Sequence, residues 1–194
     1  MGRSRRGTRG PSEELRWIGV RCGGALTFHF MRYQPILGTL GYVISPDRRD
    51  VLLLHRNTRP NDHHVGKYVG LGGKLERGEG IAAGMQREVM EEAGITVTHM
   101  TLRGTINWPG FGQNGEDWLG FVFLIEAFEG SPLAANAEGT LSWQPIHSLL
   151  DGELPIWEGD KLFLPLVFDD DPRAFHGVMP YLNGRPVSWK FERL

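Results

Sequence analysis

A single cysteine, Cys22, stands among the 194 residues, so no disulfide can form within the chain. No apolar run approaches the roughly 18 residues that a membrane-spanning helix requires, and no membrane role is expected. Low-complexity sequence and internal repeats are also missing beyond the first ten residues, MGRSRRGTRG, which are rich in Gly and Arg, lack apolar periodicity and read as disordered. A reducing, cytoplasmic setting fits these absences. The net charge is only −2, but it is unevenly placed: residues 1–30 carry six Arg and two Glu, and the remaining chain is left at −6. An acidic body argues against general binding to a nucleic-acid backbone. It leaves open a small phosphorylated substrate whose charge a metal ion offsets.

With 40% hydrophobic and 23% charged residues, the chain reads as one globular domain. Residues 1–30 form a basic extension. It reads as a tail without special role, as a transit peptide (weakened by Glu13 and Glu14), or as sequence upstream of a true start at Met31. The domain is expected over 31–194. Ile36 to Ser45 and Val51 to His55 predict a hairpin joined at Pro46–Arg49, followed by a polar loop from Asn57 to Lys67. A short strand over Tyr68 to Gly73 runs into glycines. Gly80 to Ala93 predicts a helix with Ile81, Met85, Val89 and Ala93 as its buried stripe and Gly94 as its stop. Strands are expected over Thr96 to Trp108, Trp118 to Ala127 and Thr140 to Pro145, with a mobile Gly-rich loop from Pro109 to Asp117. A second helix over Trp157 to Phe168 should pack Leu162, Leu164, Leu166 and Val167 inward. His176 to Tyr181 and Val187 to Phe191 predict a closing hairpin that turns at Asn183-Gly184.

The helix over 80–93 carries the chemistry. Glu88, Glu91 and Glu92 stand at i, i+3 and i+4, on one face, where like charges cost a few tenths of a kcal/mol each. A hard divalent ion, Mg2+ or Mn2+, converts that repulsion into an oxygen-ligand site. Glu88 and Glu92 border the apolar stripe, at the rim of a cleft. Gly70, Gly72 and Gly73 just upstream allow the backbone to approach a ligand closely. Lys74 either touches a phosphate or is solvated.

Residues 73–95 fit Gly-x5-Glu-x7-Arg-Glu-U-x-Glu-Glu-x-Gly-U, with U aliphatic, at every fixed position: Gly73, Glu79, Arg87, Glu88, Val89, Glu91, Glu92, Gly94 and Ile95. This resembles the Nudix box of the Nudix hydrolases. The resemblance implies an α/β/α sandwich, in which a mixed sheet lies between helices. It also implies metal-dependent hydrolysis of nucleoside diphosphates linked to another group. Glu88, Glu91 and Glu92 would hold the metal, helped by the Gly73 carbonyl and by Glu138, an acid outside the box. Glu91 or Glu88 would accept a proton from water, and Arg87, on a different face, would pair with Glu79.

Gly66 to Lys74, Trp157 to Leu166 and Phe175-His176-Gly177 are similar to the MutT-type oxidised-purine nucleoside triphosphatases, over about residues 37–182. That similarity implies a base gripped by Tyr68, Trp157 and Asp160. Gly159 stands where the subgroup has a second acid, and Val69 where it has an Asn. The expected reaction takes a nucleoside triphosphate, such as 8-oxo-dGTP, to the monophosphate and pyrophosphate. The protein would be a monomer or homodimer with a small-molecule nucleotide as its partner. The alternatives are hydrolysis of ADP-ribose or a dinucleoside polyphosphate, and a non-catalytic Nudix module that only binds its ligand.

Overall fold

The computed structural model describes residues 33–58 and 64–194, and the backbone of 20–22 and 25–27. The expectations for the extension of residues 1–30 therefore lie mostly outside the described residues. Within it, Val20–Cys22 (β1) and Ala25–Thr27 (β2) pair as a short antiparallel ladder.

The domain is built on a mixed sheet. Ile36–Ile44 (β3) lies parallel to Trp118–Glu129 (β7) and antiparallel to Asp50–His55 (β4). On the far edge of β4 runs Thr140–Pro145 (β8), and Tyr68–Val69 (β5) pairs with the end of β4. On the other side of β7 come Thr96–Trp108 (β6), Phe175–Val178 (β9) and Lys190–Arg193 (β12).

Successive strand residues face opposite sides of the sheet, so alternating apolar runs create two cores. Val43, Leu52, Leu54, Phe123 and Ile125 pack with Met85, Val89 and Ala93 of the helix Ile81–Ala93 (α1). On the opposite face Tyr42, Ile44, Val51, Leu53, Val122 and Leu124 pack with Leu149 of Ile146–Leu150 (α2) and with Phe163, Leu164 and Val167 of Asp160–Phe168 (α3). Each fully buried Val, Leu or Ile contributes about 1.5–3 kcal/mol. Helices on both faces of a mixed sheet are the expected α/β/α sandwich.

Local details differ from the sequence expectation. Helix α3 begins at Asp160 rather than Trp157, because residues 157–159 form a turn. Leu162 is 41% exposed, and Phe163 takes the inward place. Positions 163, 164 and 167 share the inward face of α3, which leaves Leu162 at its edge. The closing hairpin splits in two. Tyr181–Leu182 (β10) and Arg185–Pro186 (β11) pair around the Asn183-Gly184 turn, both of whose residues have positive φ, while β12 leaves that ladder to pair with β9. Helix α2, only five residues long, has no periodic signal of its own.

Helix α1 stops where Gly94 adopts φ 69° and its N–H reaches the Met90 carbonyl at 3.0 Å. The segment before the helix is seated on β3 by bonds from the Thr39 N–H to the Gly73 carbonyl (2.8 Å) and between Gly41 and Leu71. Gly72, at φ 146°, lies so close to the Thr39 carbonyl that no side chain fits. This contact fixes the glycine loop beside the C-terminal half of α1, where Gly72 and Gly73 meet Glu92 and Glu88.

Candidate active site

Glu88, Glu91 and Glu92 project from α1 beside the glycine loop. Glu88 is packed against Gly73, where an added Cβ would sit 2.5 Å from its Oε1. Arg87 is the hub of the cluster. Its Nε and Nη2 donate to the two oxygens of Glu79 at 2.8 and 3.1 Å, and Nη2 also donates to the Lys74 carbonyl at 3.1 Å. The pairing with Glu79 ties the loop to the helix. Arg87 does not, however, occupy a separate face: its Nη1 donates to Glu88 at 2.9 Å and to Glu91 at 3.2 Å. A long guanidinium fork spans neighbouring turns and serves three carboxylates at once. This contact drives the Glu79 carboxyl below its usual pKa and the Arg87 guanidinium above its own. The Glu91 side chain is 59% exposed, against 14% for Glu88.

Glu92 accepts the Gly72 N–H at 2.8 Å. Burial pushes its pKa up to about 8, and the charges of Glu138 and Glu88 add to that, against the Gly72 bond and Arg56. Burial also raises the Glu88 pKa, opposed by Arg87 and reinforced by Glu91 and Glu79. Among the described residues, no three His, Cys, Asp or Glu side chains yet converge at metal-ligand distance. The donor chemistry nevertheless fits a hard divalent cation: several carboxylates that raise one another's pKa, with a backbone carbonyl at Gly73, are all oxygen donors that an added positive charge would relieve.

Glu138 lies in the loop before β8 and pairs with Arg56. The loop hooks onto α1 through Asn136. The Asn136 Nδ2 donates to the Glu92 carbonyl at 3.0 Å, and its Oδ1 accepts the N–H groups of Glu138 (2.8 Å) and Gly139 (3.1 Å).

Next to the cluster opens a cavity of about 230 Å3, whose lining includes Gly72, Gly73, Glu92 and Arg56 at one side and Trp157, Asp160 and Val69 at another. On the sheet, the register partners Gly38 and Gly120 leave the room that the rings of Trp118 and Trp108 take up along the cavity. Trp157 donates through Nε1 to His64 Nδ1 at 2.9 Å, and the Lys67 ammonium lies 5.5 Å from the Trp157 ring centroid. Burial raises the Asp160 pKa to about 7, partly offset by the charge of Lys67.

Tyr68 does not line the cavity. Its ring stacks on His55 at 4.5 Å with a 9° interplanar angle. Strand pairing explains this, since Tyr68 and His55 are register partners. Lys74 also lies outside the cavity, with its ammonium 5.5 Å from the centroid of the Trp118 ring. It lines an adjoining polar cleft with His64, Asn114 and Glu116.

The aromatic walls that sequence reasoning missed are Trp108, Phe111, Trp118 and Tyr181. Trp108 and Trp118 read only as strand ends, and the one signal for them was the Gly-rich connection between them. That connection, expected to be mobile, is laced by bonds from the Gly110 N–H to Asp117 Oδ1 and from the Gly112 N–H to the Glu116 carbonyl, both 2.9 Å. The Thr39 hydroxyl and the Trp118 Nε1–H are buried with no hydrogen-bond partner among the described residues.

Comparison with known proteins agrees with this geometry. A family model described as the NUDIX domain matches residues 35–167. Over 129 residues the chain is 32% identical to the oxidized purine nucleoside triphosphate hydrolase of Danio rerio, covering 66% of this chain and 77% of that protein. It is 28% identical over 135 residues to an uncharacterized Nudix hydrolase, YvcI of Bacillus subtilis, covering 68% and 78% respectively. Among solved structures, a mutator MutT protein from Bacillus halodurans superposes with a TM-score of 0.68 at 31% identity, over 81% of this chain and 97% of that one. Nudix hydrolases generally use a divalent metal and act on small nucleotide substrates. With the motif of residues 73–95 unbroken and set on the matching fold, the chain belongs to the Nudix family and is a Nudix hydrolase.

Proposed function

We propose that the chain hydrolyses a purine nucleoside triphosphate, with oxidised purines such as 8-oxo-dGTP as first candidates, to the nucleoside monophosphate and pyrophosphate, using Mg2+ or Mn2+. One observation carries this reading. Glu92, Gly72 and Gly73 belong both to the carboxylate cluster and to the wall of the cavity that holds Trp157 and Asp160. A nucleoside bound in that cavity directs its phosphates along the glycine loop toward Glu88. The similarity to the Danio rerio hydrolase and the Bacillus halodurans MutT supports the same class of substrate.

In this reading Glu88, Glu91, Glu92, Glu138 and the Gly73 carbonyl hold the metal. When bound, the ion offsets phosphate charge and acidifies a water. Glu91 or Glu88 accepts that water's proton. Arg87 is a positioning residue, aligning Glu88 and Glu91 while Glu79 anchors it. Trp157 stacks on the base, a contact worth about 1–3 kcal/mol. Asp160 reads the edge of the base, and Val69 closes the cavity without a polar group. Hydrolysis of ADP-ribose or a dinucleoside polyphosphate is the second reading. It draws on the polar cleft beyond Trp118, where Lys74 and Asn114 would receive a second moiety. Retention of every box carboxylate argues against a module that only binds.

The test is a screen of the purified protein with Mg2+ and with Mn2+ against unmodified and oxidised dNTPs, ADP-ribose and dinucleoside polyphosphates, with product analysis. Glu91→Gln should lower turnover by orders of magnitude and leave the fold intact, since its side chain is mostly exposed. Unchanged turnover would refute the box-centred mechanism.

A further inference from the structure

The phenol of Tyr181 has a place in the cavity but no role in the mechanism above. Its ring is held firmly. The Tyr181 N–H donates to the Pro109 carbonyl at 2.7 Å, and the ring meets Phe111 edge-on with centroids 5.0 Å apart. Tyr181 is only 9% exposed and lines the cavity, yet among the described residues nothing hydrogen-bonds its hydroxyl. A hydroxyl that lines the cavity with no protein partner is available to a bound ligand as donor or acceptor.

The position of that hydroxyl is informative. It lies against Gly159, the residue that precedes Asp160. A Cβ at position 159 would collide with Tyr181 Oη and come within 2.8 Å of Met179 Sδ. The phenol therefore fills the space that a side chain at 159 would need. Burial and the nearby charge of Asp160 both raise the Tyr181 pKa, so the group remains an O–H donor. The lining of the cavity thus includes one carboxyl acceptor, Asp160, and one phenol donor, Tyr181.

We infer that Tyr181 is a specificity-determining residue whose O–H donates to an acceptor on the bound ring, next to the ring N–H that Asp160 accepts. The ligand class so defined is a nucleotide whose base carries an acceptor and a donor on adjacent atoms of one edge, as the carbonyl and ring N–H of a 6-oxopurine do. This rests on the nucleotide-hydrolase reading and narrows it. A site built to hydrogen-bond such an edge discriminates sharply against an analogue that lacks it.

Equilibrium binding separates the inference from turnover. Inosine monophosphate and purine riboside monophosphate, which lacks both the carbonyl and the ring N–H, are titrated against the full chain, with quenching of the cavity tryptophans as the signal. Tyr181→Phe should weaken inosine monophosphate binding about tenfold, as expected for a lost buried hydrogen bond. It should change purine riboside monophosphate binding less than twofold and leave Tm within about a degree. Gly159→Ala, which displaces the phenol, should reproduce the same selective loss. Equal loss for both ligands would reduce Tyr181 to a packing residue, and no loss for either would also overturn the inference. Selective binding by a wild-type protein that hydrolyses no nucleoside triphosphate would sink the catalytic reading while leaving the assignment of Tyr181 standing.

Discussion

At the scale of single residues, the site is a set of acids held away from their ordinary ionisation. Asp160 is the clearest case, because burial raises its pKa with only the charge of Lys67 opposing it. Its pKa in the folded protein is about 7, against an ordinary 3.8, and burial is the main cause. The folded state therefore holds a proton that the unfolded chain releases at lower pH. The stability from this group is complete below pH 3.8 and is lost as pH rises through about 7. Asp160→Asn removes the titration. The variant should be more stable than wild type above pH 7, by about 1–3 kcal/mol, and the two should converge toward pH 4. Denaturant melts across that range check the difference, and a constant offset at every pH would exclude Asp160 as its source. The carboxylate spacing on α1 was legible in the sequence because a helix repeats regularly. Tyr181 was not, because it joins the cavity wall only through the meeting of distant segments, and nothing near it in sequence marks a polar cavity.

At the scale of elements, the site is the product of how α1, the glycine loop and the loop before β8 are joined. The helix was legible from its apolar stripe and its Gly94 stop, since both depend on local geometry. The Glu138 loop was not legible: its conformation depends on Asn136, whose amide group bonds the Glu92 carbonyl and two loop N–H groups. An Asn in a loop has no periodicity to betray such a strut. Asn136→Ala should free the loop from the end of α1 and separate Glu138 from Glu92. Mn2+ binding, followed by electron paramagnetic resonance, should then weaken about tenfold, consistent with the cost of losing an outer-shell partner. Glu138→Gln should weaken it comparably, and the double variant should be no worse than the more severe single one, because both act through one carboxylate. Additive losses would show that Asn136 acts elsewhere.

For the whole molecule, the two cores give the sheet its rigidity, and the site lies where the sheet, α1 and the start of α3 leave an opening. The two-layer burial could be anticipated from alternating strands, but the cavity could not. Its aromatic walls seat only because Gly38 and Gly120 meet in register on neighbouring strands and make room for Trp118 and Trp108, and register is set by the complete sheet. The same architecture concentrates Glu88, Glu92 and Glu138 so that ionising one raises the pKa of another. In the metal-free protein this repulsion opposes folding, and a divalent ion bound only by the folded state stabilises it by mass action. At a concentration 100 times its Kd, the gain is about 2.7 kcal/mol. For a chain of this size that corresponds to a Tm increase of about 5–10 °C. Mg2+ or Mn2+ should therefore raise Tm at matched ionic strength, and EDTA should reverse the rise. The Glu88→Gln/Glu92→Gln double variant should melt higher than the metal-free wild type at pH 8 but respond to neither ion. A wild-type Tm that ignores both ions would mean that the carboxylates are not a cation site in the absence of nucleotide. A double variant that still responds would place the ion on other ligands.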